Sequence, residues 1–290
     1  MSYVILTDSS ANLTDALIEQ LDVPVISFTF HVGDKELKSY IKGQKTDLEQ
    51  FYTMMRNKEH ITTSLISPDD FTAFFEDYLR AGQDILYIAF SSGLSGTYQS
   101  STIAADTLRE KYPDRKIYTV DSLCACLGQG LLVYHAVQLK NEGKSIDEVN
   151  HWLMDNRLRM CHWFTVNDLF FLKRGGRVSS TAAVFGSLLQ VKPVMHMDND
   201  GKLAVVEKAR GRKQSLQALV SHMEQTIENA EDQMIYIAHG DCEDEAEYVR
   251  KLICDKFSIQ GTLINCIDPV IGSHAGPGTL AIFYLGKNRD

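Results

Sequence analysis

The sequence lacks the long apolar run that a membrane helix needs: nothing in it approaches roughly 18–20 consecutive apolar residues. Its opening residues, MSYVILTDSS, lack the basic segment of a secretory signal, and their apolar stretch is too short for one. No C-x-x-C pair occurs among the six cysteines, Cys124, Cys126, Cys161, Cys242, Cys254 and Cys266. Several lie in apolar runs and read as reduced, mostly buried thiols of a cytoplasmic protein. Cys124-Ala125-Cys126 has the wrong spacing for the common structural zinc sites, and no metal is expected. Basic charge is also short. Lys and Arg number 29 against 38 Asp and Glu, a net charge of −9. That balance argues against nucleic-acid binding and leaves room only for a local basic patch.

Familiar catalytic signatures are missing too. Gly93-Leu94-Ser95-Gly96-Thr97 fails the G-x-S-x-G nucleophile elbow at its fifth position. Gly143-Lys144-Ser145 mimics the end of a phosphate-binding loop, but Gln138 stands where the first glycine is required. No G-x-G-x-x-G follows a strand pattern, there is no H-E-x-x-H, and no internal repeat or low-complexity segment is visible.

What is present is an ordinary globular chain. It has 290 residues, 44% of them hydrophobic and 23% charged. At roughly 150 residues per domain, two domains are expected. Strand-length apolar runs alternate with helical patterns in the first half: strands at 3–6, 23–30, 85–90 and 116–120, and helices at 71–79, 97–111 and 130–140. The 85–90 run is continuous, as in a strand covered on both faces. This rhythm implies a mostly parallel sheet with helices on both faces. In the second half, 192–197 and 202–208 flank Asp198-Asn199-Asp200-Gly201, a hairpin signal. A helix (213–228), a strand (234–238), a helix (243–257) and strands at 262–267 and 280–285 follow, which implies a mixed sheet. The expected division is an α/β domain over 1–150 and a second over 151–290, with the boundary near 141–156. The segment near 60–80 is a candidate to pack on the second domain.

Three stretches stand out chemically. Ser91-Ser92-Gly93-Leu94-Ser95-Gly96-Thr97-Tyr98 lies between a buried strand and a helix. Four hydroxyls and free N–H groups at a helix start favour an anion, more than one helix cap requires. Thr7-Asp8-Ser9-Ser10 and Asp121-Ser122 end two further strands, and the three loops together suggest a polar mouth. Thr62-Thr63-Ser64 precedes a helix start at Ser67-Pro68-Asp69-Asp70, read equally well as a solvated loop. Lys173-Arg174-Gly175-Gly176-Arg177 concentrates basic charge and reads either as a C-capped helix or as a patch for a phosphate or an acidic partner. Lys208, Arg210, Arg212 and Lys213 form a second basic cluster. Ile271-Gly272-Ser273-His274-Ala275-Gly276-Pro277-Gly278 reads as an irregular loop around one histidine. From these residues alone, a ligand-binding protein competes with an acyl hydrolase using Ser95 as nucleophile and His274 as base.

Six ordered motifs together resemble the DegV family of bacterial fatty-acid-binding proteins: TDSSANL at 7–13, SSGLSGTY at 91–98, DS with GQG at 121–130, FLKRGGRVSS at 171–180, KPV with DGKL at 192–203, and HAGPG at 274–278. One departure is that Leu65-Ile66 follows Thr63-Ser64 where the family often has Q-P. The resemblance implies two α/β domains holding one long-chain fatty acid between them. The acid's carboxylate would meet Thr63 and Ser95, with Ser64, Ser92 and His274 as additional contacts. The tail would run in an apolar tunnel, for which Phe28, Phe164 and 185–189 are candidates. The resemblance further implies no cofactor beyond the bound acid and no catalytic residue of the chain's own. A fatty acid kinase would be the partner, met by Arg174, Arg177 and Arg210, with transient contact to a membrane surface for lipid exchange.

Overall fold

The computed structural model describes residues 2–178 and 191–289. The expected tunnel residues at 185–189 lie outside the described residues. The chain opens with β1 (Tyr3–Asp8), α1 (Asp15–Leu21) and the short β2 (Val25–Ile26). It continues through β3 (Thr29–Val32), β4 (Lys35–Lys38), α2 (Leu48–Arg56) and β5 (Ile61–Ser64). Next come α3 (Pro68–Arg80), β6 (Asp84–Ala89), α4 (Thr97–Lys111), β7 (Ile117–Asp121), α5 (Leu127–Asn141) and α6 (Ile146–Asn156). β8 (Met160–Thr165), α7 (Leu169–Arg174), β9 (Val191–Met197), β10 (Leu203–Arg210) and α8 (Arg212–Thr226) follow. The last elements are β11 (Met234–His239), α9 (Glu243–Lys256), β12 (Gly261–Cys266), α10 (Pro269–Ala275) and β13 (Leu280–Leu285).

The parallel sheet has the order β2-β1-β6-β7. β1 and β6 are buried along their whole length, because successive side chains point to opposite faces and both faces are covered. Val4, Leu6, Ile85 and Tyr87 pack with Phe71 and Phe75 of α3. Tyr3, Ile5, Leu86 and Ile88 pack with Leu131 and Leu132 of α5 and with Val149 of α6. The mixed sheet has the order β10-β9-β8-β13-β11-β12, in which only β11 and β12 are parallel. Its outer face packs on α8 and α9 through Leu216, Leu219, Met223, Val249 and Ile253. Its inner face faces α5, which contacts β8, β11 and β13 as well as β1 and β6.

Two glycines make this shared position of α5 possible. A methyl group on Gly128 would lie 2.1 Å from His162 Nε2 of β8, and one on Gly130 would lie 2.6 Å from the Ala11 carbonyl at the end of the first loop. Between them, buried Gln129 donates to Thr7 Oγ1, Asp8 Oδ1 and the Ile88 carbonyl. The G-Q-G motif is thus a packing device, with two bare backbone faces and one polar peg.

Several expectations change. The 23–30 segment is not one strand: β2 ends at Ile26, and the chain crosses to a three-stranded antiparallel sheet, β4-β3-β5. Phe28 marks the break, its N–H donating to Ser9 Oγ. β8 was not foreseen, although Met160-Cys161-His162-Trp163-Phe164 is an apolar and aromatic run buried throughout. Residues 60–80 divide: α3 packs on α4 and β6, whereas β5 meets α10. His274 lies not on an irregular loop but in the last turn of α10, which Asp268 caps through the Ile271 N–H at 2.8 Å.

The β9–β10 hairpin presses its turn onto the 91–93 loop. Ser91 Oγ donates to the Gly201 carbonyl at 2.7 Å. A methyl group on Gly93 would lie 2.6 Å from the Gly201 carbonyl oxygen and 2.7 Å from that of Asp200. Both obstacles are backbone, so relief requires moving the turn. Gly93→Ala is therefore expected to destabilise the protein by about 1–3 kcal/mol, as overpacking does, read as a lowered urea midpoint at unchanged slope.

Candidate functional site

A cavity of about 340 Å³ lies between the two larger sheets, within the size range of small-molecule sites. Its walls are mostly apolar. Phe28, Phe90 and Val270 belong to one packing cluster of its lining, and Ile267 with Phe164, Ala281 and Phe283 of the mixed sheet belong to another. Register sets depth on that sheet, since Ala281 pairs with Phe164 and Phe283 with His162. His162 also lines the cavity. Its Nδ1 hydrogen-bonds the Met160 carbonyl at 2.9 Å and its Nε2 accepts from the Ala125 N–H at 3.2 Å. Burial, followed by the nearby Arg289 charge, pushes its pKa well below 6.5. His162 is a neutral ring with both nitrogens occupied, so it serves as an apolar wall.

Polar groups gather at one end. Thr63, Ser64, Ser95, His274 and Arg177 all line it. β5 carries Thr63 and Ser64, and α10 carries His274. Thr63 Oγ1 and His274 Nε2 are hydrogen-bonded at 2.8 Å. Burial, then the charges of Arg177 and Arg174, lower the His274 pKa to about 4. Ser64 is exposed and hydrogen-bonds His31 Nε2 at 2.7 Å. Ser95 lies just before α4, whose Gly96 N-cap provides no side-chain bond. Ser95 Oγ instead accepts from the Thr97 N–H at 3.3 Å and pairs with Thr97 Oγ1 at 2.9 Å. The dipole of the helix start favours negative charge there.

Other expected residues sit elsewhere. Ser92 is exposed and is not among the residues lining the cavity; its N–H donates to Asp121 Oδ1. The 7–10 and 121–122 loops do not line the mouth either. Their polar groups are braces. Ser9 Oγ takes the Phe28 N–H, and Ser10 Oγ bonds Asp8 and Gln129. Asn12 Oδ1 takes the Asp268 N–H at 2.8 Å, while Asn12 Nδ2 reaches the Cys266 carbonyl. That asparagine, at φ 53°, joins the end of β1 to the start of the helix that carries His274.

Arg177 was expected on a partner surface, yet it is half-buried in the cavity wall. After α7, Gly176 adopts φ +73° and the Arg177 N–H bonds back to the Leu172 carbonyl, a helix-end turn that only glycine enters freely. The turn folds Arg177 inward, where it donates to the carbonyls of Leu94 and Gly175. Arg174 stays exposed with its guanidinium over Phe171, at 5.3 Å. Arg210 is exposed at the end of β10 and does not line the cavity. The dyad of the hydrolase reading is not assembled: Ser95 pairs with Thr97, and His274 pairs with Thr63. Among the described residues, no cluster of three or more His, Cys, Asp or Glu is placed to hold a metal ion. Likewise, no helix among them is long and apolar enough to cross a membrane.

The fold and site together define an α/β protein of two larger sheets and one small antiparallel sheet, with an amphipathic cavity that is polar at one end. The sequence profile of the DegV family, whose members are described as uncharacterised, matches residues 2–287, and the chain belongs to that family. A DegV domain-containing protein of Clostridium perfringens is 46% identical over 288 residues, 99% of each chain. The solved structure of a DegV family protein from Thermus thermophilus, described for its fatty acid binding, superposes with a TM-score of 0.88. It is 28% identical, with 99% of this chain and 100% of that one covered. DegV of Bacillus subtilis, described as a fatty acid binding protein, gives a TM-score of 0.84 at 28% identity, with 99% and 100% covered.

One contact was illegible in the sequence. A methyl group on Gly175 would lie 2.2 Å from His274 Nδ1, so the first glycine of R-G-G-R is the floor on which the imidazole rests. Its φ of −74° suits alanine, and Gly175→Ala is expected to fold while displacing the ring and breaking the Thr63 bond. In the parent protein His274 is expected to titrate near 4. Because that lies below the unfolded value of 6.5, its contribution to stability is complete above pH 6.5 and is lost as pH falls toward 4. In Gly175→Ala the titration moves back toward 6.5. Side-chain NMR of His274 across pH 3–8 reads both outcomes.

Proposed function

We propose that the protein binds one long-chain fatty acid, with its carboxylate at Thr63, Ser95 and His274 and its tail in the apolar cavity. The observation that carries this reading is the Thr63–His274 pair beside the start of α4, at one end of a cavity that is otherwise apolar. A buried carboxylate is costly unless hydrogen-bonded. Two hydroxyls, an imidazole and helix N–H groups supply those bonds. Arg177 adds the nearest positive charge, and exposed Ser64 lies at the rim. Each methylene entering the cavity contributes about 0.8 kcal/mol. The fatty acid binding described for the Thermus thermophilus and Bacillus subtilis relatives supports the reading.

The protein in this proposal is a cytoplasmic carrier with no catalysis of its own. It presents the acid to a fatty acid kinase and touches membrane surfaces only to exchange lipid. Exposed Arg174 and Arg210 are the residues assigned to the kinase. Rim charges act mainly on association rate and salt dependence. Arg210→Ala should therefore leave bound lipid intact while slowing phosphorylation by the kinase. Loss of lipid from Arg210→Ala, with kinase binding unchanged, would overturn that assignment.

The head-group assignment is tested by extracting purified protein and quantifying fatty acid by mass spectrometry. Stoichiometric acid is expected in the parent protein. A hydrogen bond to a charged group contributes about 1.5–3 kcal/mol, so Thr63→Ala with Ser95→Ala should weaken binding by roughly two orders of magnitude or more. Unchanged occupancy in the folded double variant would place the carboxylate elsewhere.

A further inference from the structure

Arg289 has no exposed surface and is the largest fully buried side chain among the described residues. A guanidinium carries five N–H donors, and here all five are used. Nε donates to the Met160 carbonyl at 3.1 Å. Nη1 donates to the carbonyls of Leu123 at 2.8 Å and Asp198 at 2.9 Å. Nη2 donates to the Arg157 carbonyl at 2.6 Å and to Cys124 Sγ at 3.2 Å. No carboxylate is among these partners. A buried charge held only by carbonyl dipoles and a thiol persists where its hydrogen bonding is complete.

The five acceptors come from three separate parts of the chain. Leu123 and Cys124 belong to the loop between β7 and α5, and Arg157 and Met160 lead into β8. Asp198 opens the β9–β10 turn. All three parts adjoin cavity wall: Ala125 and Cys126 follow Cys124, His162 and Phe164 follow Met160 in β8, and Met197 and Leu203 flank the turn. The 121–126 loop is also strained. Leu123 has φ 50° and Cys126 has φ 54°, a region that bulky side chains occupy only when the surroundings impose it. One Arg289 bond falls on the Leu123 carbonyl itself. Arg289 lies just past the span matched by the family profile, which ends at 287.

We infer that Arg289 is a positioning residue for the cavity. Its guanidinium ties the 121–126 loop to the β9–β10 turn and so fixes the wall against which an acyl tail lies. The inference rests on the reading of the cavity as a fatty-acid site, and it predicts that Arg289 controls how long the ligand stays.

The test uses the full chain and cis-parinaric acid, a fluorescent fatty acid, as the probe. Release into excess unlabelled vesicles is followed at a temperature where circular dichroism shows the parent and variant proteins folded. Arg289→Ala should release the probe on the order of tenfold faster. Amide exchange should rise at 121–126 and 198–201 and stay unchanged in α4 and α9. Arg289→Lys, which offers three donors from one point, should fall between the two. Added ethylguanidinium should slow release from Arg289→Ala, which a general loss of stability would not allow. Parent-like release from Arg289→Ala would overturn the inference, as would exchange rising uniformly over the chain. If Arg289→Ala does not fold, Arg289→Lys carries the same readouts. If the parent itself does not bind the probe, the fatty-acid reading fails, and the exchange pattern alone decides whether Arg289 positions the wall.

Discussion

The carboxylate of Asp8 is the constraint on which the rest of the structure depends. It is fully buried at the end of β1. Tyr87 OH reaches Oδ2 at 2.6 Å and the Phe90 N–H reaches it at 3.2 Å. Oδ1 takes the Ser10 N–H, Ser10 Oγ and Gln129 Nε2. Burial raises the Asp8 pKa, and these hydrogen bonds act against that rise. One group thereby ties β1 to β6, fixes the strand end from which the 91–96 loop departs, and pins α5. A buried polar network is stabilising only when every member is satisfied, so the identities of Asp8, Ser10, Tyr87 and Gln129 are mutually set.

The site follows from that frame by convergence of distant segments. Thr63 comes from a small antiparallel sheet, Ser95 from a loop that Asp8 holds through Phe90, and His274 from a helix capped by Asp268 and joined to β1 through Asn12. No two of these are close in sequence. All three line one cavity, which lies between the two larger sheets off the start of α5, where Ala125 and Cys126 line it.

Much of this was legible. The 85–90 run and the helix after it, the 198–201 turn and the ordered motifs all express local rules: period, turn chemistry and helix start. The carboxylate-binding role expected of Thr63, Ser95 and His274 came from resemblance, and the structure places all three in the cavity lining. What could not be read depended on contacts far apart in the chain. Phe28 ends a strand because Ser9 captures its N–H. Arg177 turns inward because Gly176 reverses the chain. TDSSANL looked like a mouth because hydroxyl-rich loops at strand ends usually face solvent, yet here each polar group braces a buried partner. β8 went unseen because its histidine and cysteine dilute an apolar run that is in fact buried on both sides.

The placement of α5 has a further consequence. Its first seven residues are buried, and it is packed by the parallel sheet on one side and the mixed sheet on the other. Each sheet therefore needs the same helix to cover its inner face, and neither half of the chain owns a complete core. Melting should be one cooperative event and not two, and severing the chain between the sheets would leave two fragments with exposed apolar faces. Any molecule lodged beside that helix adds its binding free energy to the folding of the entire chain by mass action, so the protein's heat resistance becomes a gauge of how full it is.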